Sequence, residues 1–222
     1  EADRVAKMFA DQSYQKKHLV FFADDASIHA DGATVLLATA LLPAVQEVLN
    51  SAEYLSYFQP EDWYGENYLL DFALSARYGD FDGMGKGGYF AAVDGEAQRQ
   101  QADKAYHFVD ELPARRSMIR CSLLEASVVP SLAGGTVFRG GRMLSVDTFN
   151  YCENWPEAVC PAAADMVIAD QGLTMDEIRH VVDHIEVGAA YEADAYEIAA
   201  ARSATAQAEV TTTVVNGTVV ID

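Results

Sequence analysis

Apolar positions recur mostly at helical spacing along this chain. Val5, Met8 and Phe9 predict a short amphipathic helix within residues 3–17. His18-Leu19-Val20-Phe21-Phe22-Ala23 breaks that period. This run is rich in β-branched and aromatic residues and is closed by Asp24-Asp25, which predicts a buried strand. Such a segment pairs with copies of itself unless the fold covers it.

Ala33 to Phe58 reads as a helix restarted near Pro43, with Val45, Val48, Leu49, Ala52 and Leu55 on one stripe and Pro60 as its stop. Trp63 to Tyr78 predicts a second helix, through Tyr68, Leu69, Phe72 and Leu74. Gly79, Gly83, Gly85, Gly87 and Gly88 then predict an exposed, mobile loop. Residues 95–112 read as another helix ending before Pro113, and Ser117 to Ser127 as its continuation or a separate one. Thr136 to Val146 has the pattern of a hairpin turning at Gly140-Gly141, and residues 157–169 that of a short Ala-rich helix.

Thr174-Met175-Asp176-Glu177 has the spacing of a capping box, followed by Ile178, Val181, Val182 and Ile185 on one face. The chain closes on two β-branched runs around Asn216-Gly217, the strongest short-range hairpin signal. The predicted class is therefore α+β, helix-rich, with short β-hairpins around Gly140-Gly141 and Asn216-Gly217. One domain spans 1–222, with the hairpin 209–222 as an assembly arm.

Composition narrows the partners. Half of the 222 residues are apolar, enough to offset the entropy of folding. Thirty-four acidic residues against 15 basic ones leave a net charge of −19. Between Glu153 and Glu209 there are 12 acidic residues and only Arg179 and Arg202 to oppose them. The basic residues are scattered, which argues against nucleic acid or an anionic membrane as partner. The longest uncharged stretch, Gly32 to Gln46, holds 15 residues, short of the ~20 that cross a bilayer, so no membrane span is predicted. No targeting segment is visible, and the sequence reads as that of a soluble protein. Cys121, Cys152 and Cys160 contain no CxxC pair; buried or inert thiols are favoured over a Cys152–Cys160 bridge.

Local motifs are incomplete. Gly83-Met84-Gly85-Lys86-Gly87-Gly88 fits GxGxxG, but no strand is predicted before it to aim helix amides at a phosphate. Asp80, Asp82 and Gly85 fit the start of a calcium loop, but the twelfth position is Ala91 rather than a bidentate Glu. Glu177, His180 and His184 lie within about 60° on one helix face and form the candidate transition-metal site. A carboxylate-bridged bundle needs a second ExxH, and Lys104 stands where His107 would require the Glu. A solvated face is the simpler reading, and no other cofactor is predicted.

These signals favour a structural or assembly subunit of a larger particle, such as a virion shell or a multi-subunit machine. Its partners would be copies of itself or other protein subunits. The terminal-region hairpins offer edges for strand addition, and 23 aromatic residues are many for one core. The alternative is a soluble enzyme or cofactor binder with a dispersed site, metal-dependent through Glu177, His180 and His184.

Overall fold

A computed structural model describes residues 2–23, 33–37, 41–155, 157, 159–163, 166–169, 212–215 and 218–221. The chain divides into two compact units, Glu1–Asp170 with Val210–Asp222, and Gln171–Glu209. The second unit, with the expected helix from Thr174, lies outside the described residues.

The helix-rich expectation is corrected: the first unit is built mainly of sheet. Among the described residues the α-helices are α1 (Ala2–Ala10), α2 (Leu41–Ser51) and α3 (Tyr68–Ser75). A five-stranded sheet runs in the order β3 (Tyr54–Tyr57), β9 (Ser117–Arg120), β5 (Gly83–Gly85), β10 (Val137–Ser145), β8 (Phe108–Pro113). A four-stranded sheet joins β4 (Trp63–Tyr64), β11 (Tyr151–Glu153), β6 (Tyr89–Val93) and β7 (Glu96–Gln100). Another holds β1 (His18–Ala23), β2 (Ala33–Leu37), β14 (Thr212–Val215) and β15 (Thr218–Ile221). The segment read as an Ala-rich helix instead supplies a short pair, β12 (Ala162–Ala163) and β13 (Met166–Val167).

β1 is a buried strand because its alternating side chains are apolar on both faces. Leu19 and Phe21 enter the main core, and Val20 enters a second cluster with Val45 and Leu49 of α2. α2 keeps the predicted stripe but not the predicted length, since β2 and β3 take the flanking residues. Pro43 sits in its first turn, where a missing N–H costs no helical bond. β14 and β15 pair with Val215 opposite Thr218, the register the Asn-Gly spacing predicts, and both bond to β1 of the same chain.

The Gly-Gly hairpin is not formed. Gly140 and Gly141 lie within one strand, β10, at φ 77° and 79°. Pairing with β8 passes from Arg139↔Glu111 to Met143↔Val109, so β10 carries extra residues in a bulge. The Asp82 carboxylate secures it by accepting the Arg142 N–H at 2.6 Å.

The glycine cluster is likewise no exposed loop. β5 lies buried between β9 and β10, pairing Gly83 with Ile119 and Leu144 with Met84. Missing side chains are what admit the neighbours. A Cβ on Gly85 would stand 2.9 Å from the Arg116 carbonyl oxygen and 2.9 Å from Leu112 Cδ2. Gly85→Val is therefore expected to cost about 1–3 kcal/mol by overpacking, read as a lower urea midpoint at unchanged slope. An unchanged midpoint would contradict this packing.

The core is aromatic. Phe58 stacks on Tyr64 at 4.1 Å between centroids, and Tyr68 meets Phe58 and Phe72 edge-on at 5.6 and 4.8 Å. No helix among the described residues is long and apolar enough to cross a membrane.

Candidate functional site: two buried charge networks and an open sheet edge

α3 turns Tyr68, Leu69 and Phe72 into the core, and their neighbour Asp71 reaches a charged centre at its border. Lys86 enters from the other side. Its N–H donates to the Arg116 carbonyl at 2.9 Å, and the Gly87 N–H donates to Ser145 Oγ at 2.9 Å. This fixes the residue directly after β5. The Lys86 side chain is 0% exposed, with Nζ donating to Asp71 Oδ2 at 2.6 Å and to Asp147 Oδ1 at 2.8 Å. Asn150 Nδ2 donates to the same Asp71 oxygen at 3.1 Å, and the Phe149 N–H to Asp147 Oδ1 at 2.7 Å. Burial lifts the Asp71 carboxyl above its ordinary value against the pull of Lys86, and the Asp147 charge adds to the rise.

Asp62 forms the second network, with its side chain 0% exposed. It pairs with the Arg115 guanidinium through both carboxylate oxygens, Nε lying 2.8 Å from Oδ2. Tyr151 Oη donates to Oδ2 at 2.7 Å and the Asn154 N–H to Oδ1 at 2.8 Å. Burial raises the Asp62 carboxyl even against these donors. Burial is the largest single influence and opposes the Arg115 charge, but the hydrogen bond to Asp62 together with the nearby Tyr151, Asp62 and Glu153 outweighs it and holds Arg115 above its ordinary value. Arg116 completes the set, bonded to Glu153 at 2.6 Å and lying over the Tyr89 ring at 3.6 Å.

The residues singled out in the sequence either lie outside the described residues or are engaged within the fold. Glu177, His180 and His184 lie outside the described residues. Among the described residues no group of three His, Cys, Asp or Glu side chains could hold a metal ion. His18 Nε2 meets Thr34 Oγ1 at 2.7 Å, and His107 Nδ1 meets the Ala105 oxygen at 2.8 Å. Of the suggested calcium-loop acids, Asp80 pairs with Arg120 and Asp82 holds the β10 bulge. All three cysteines are free, so Cys152 and Cys160 are not bridged. Burial, with the Asp62 charge adding to it, pushes the Cys152 thiol up to about 12, which leaves it unreactive near neutrality.

A cleft of about 530 Å³ opens between α2 and the end of β9, lined in part by Gln46, Asn50, Glu53 and Arg120. Arg120 there is already tied to Glu53, Asp80 and Tyr54 Oη. Cys121 and Ser122 also line it, the Cys121 N–H donating to the Glu53 carbonyl at 2.8 Å.

β8 is different: it is an edge strand, paired only with β10 among the described residues. Phe108, its first residue, is 61% exposed, and Tyr106 just before it is 72% exposed. The Phe108 ring lies 6.1 Å from that of Phe81, and the Arg142 guanidinium 5.5 Å from the Phe108 ring.

Sequence reasoning noticed Lys86 through its glycines but missed Asp71, Asp147, Asp62 and Arg115. Each finds its partner 15 to 61 positions away, with no local pattern to mark it. No protein-family model matches the chain, and neither a curated protein nor a solved structure matches it significantly.

Proposed function

We propose that this protein is a structural subunit of a larger protein assembly, joined to copies of itself or to other subunits by strand addition at β8. The observation that carries this reading is the β8 edge with Tyr106 and Phe108 exposed beside it. An open strand offers unpaired backbone groups, and exposed aromatics are the side chains that anchor interfaces. The buried charges point the same way, since those of Lys86, Asp62 and Arg115 are spent on partners within the chain. The acidic net charge disfavours nucleic acid as the partner.

Native mass measurement and light scattering over a concentration series test the self-association arm. Oligomers are expected, and Phe108→Asp should weaken association about 10- to 100-fold, the range given by losing one buried phenyl contact. Its melting temperature should stay near that of the parent, because Phe108 is exposed in the single chain. A protein monomeric at every concentration, with no partner subunit retained on co-purification, would remove the reading.

A further inference from the structure

Three distant segments converge on one buried amine. Asp71 comes from α3, Lys86 follows β5, and Asp147 follows β10. Lys86 Nζ touches both carboxylates, at 2.6 and 2.8 Å, with its side chain fully out of solvent and the Phe72 ring centroid 5.6 Å away. A single ion pair would satisfy the ammonium charge, and a second buried carboxylate adds desolvation cost without a second cation. The arrangement is the one amide condensation needs: a primary amine against a carboxyl group, a further carboxylate on the same nitrogen, and little water.

We propose that Lys86 and Asp71 condense into an intramolecular isopeptide bond, with Asp147 relaying the proton. The ammonium first gives one proton to the Asp71 carboxylate, leaving a neutral amine beside a carboxylic acid. Burial holds the Asp71 carboxyl above its ordinary value, which makes it the acceptor of this proton. The Nζ lone pair then attacks Asp71 Cγ and forms the C–N bond, while Asp147 accepts a second proton from nitrogen. The carbonyl electron pair moves onto Oδ1, while the Asn150 Nδ2–H, 3.1 Å from Oδ2, holds the carboxyl group in place. Collapse restores the carbonyl at Oδ1 and breaks the bond from Cγ to the Oδ2 hydroxyl, the oxygen that took the first proton from Nζ. That group takes the proton back from Asp147 and departs as water. One amide and one water form, Asp147 is regenerated, and no oxidant, reductant or cofactor is consumed.

The Phe149 N–H on Asp147 Oδ1, at 2.7 Å, keeps the relay carboxylate pointed at Nζ. The finished bond ties α3 to the residue after β5 across 15 positions of chain and replaces a buried ion pair with a neutral amide. A subunit under mechanical or thermal load would gain from such a tie, but the chemistry stands independently of the assembly reading.

Intact-mass measurement of the folded, purified full chain under denaturing conditions tests it, with peptide mapping to locate the change. The expected result is a mass below the sequence mass by one water, and a branched peptide joining Lys86 to Asp71. Lys86→Arg should show its full sequence mass. Asp147→Asn, which leaves both bonding atoms in place, should show at least a tenfold lower rate of cross-linking. Full mass in the parent protein would overturn the proposal, as would a water loss mapped to any other pair or to the amino terminus. Cross-linking at the parental rate in Asp147→Asn would overturn the relay. The parent measurement decides the bond even where a variant fails to fold.

Discussion

Replacing Arg115 with Met is expected to lower the unfolding free energy by about 3–5 kcal/mol, the cost of stranding one partner of a buried ion pair. The expectation rests on Asp62, whose side chain is 0% exposed and takes two guanidinium contacts from Arg115. Tyr151 Oη and the Asn154 N–H remain after the substitution, but neither brings a positive charge. The carboxylate then persists as an uncompensated buried charge or takes up a proton. A second substitution separates stranded charge from lost packing. Asp62→Asn in the Arg115→Met background should recover part of the loss, because it removes the unpaired charge and keeps acceptor and shape. Urea unfolding of the parent, both single variants and the double variant measures the cycle. An Arg115→Met loss below about 1 kcal/mol would place this pair among exposed bridges of little worth.

Phe58→Ala is expected to cost about 3–5 kcal/mol, as truncations of buried aromatic residues do. Phe58 is fully buried and forms the hinge of the aromatic core, stacked on Tyr64 and edge-on to Tyr68. Removing its ring withdraws apolar contact and opens a cavity against side chains tied by hydrogen bonds. Tyr64 Oη donates to the Arg115 carbonyl at 2.7 Å and accepts the Gln59 N–H at 2.8 Å, so it cannot slide into the gap without losing them. Phe58→Leu, which keeps more of the volume, should lose clearly less. Equal losses for Leu and Ala would show that the ring contacts, rather than the filled volume, carry the stability.

The sequence alone determined those elements whose cause is local. Six consecutive residues from His18 carry enough β-branched and aromatic surface to require burial on both faces, and β1 follows. The stripe Val45–Leu49 made α2 a helix, and the spacing around Asn216-Gly217 set the pairing of β14 with β15. Tertiary structure decided the rest. β5 and β9 are too short to show a period, β8 and β10 bury too few positions, and their partners are remote, as Tyr54 opposite Arg120 or Met143 opposite Gly83. Gly83 and Gly85 read as loop residues because glycine is permissive; in the fold the same missing Cβ lets β5 lie between close neighbours. The charge networks were equally out of reach. Asp71, Lys86 and Asp147 become one centre only when strand pairing sets the ends of β5 and β10 beside α3, and a hydrogen bond carries no trace of sequence distance.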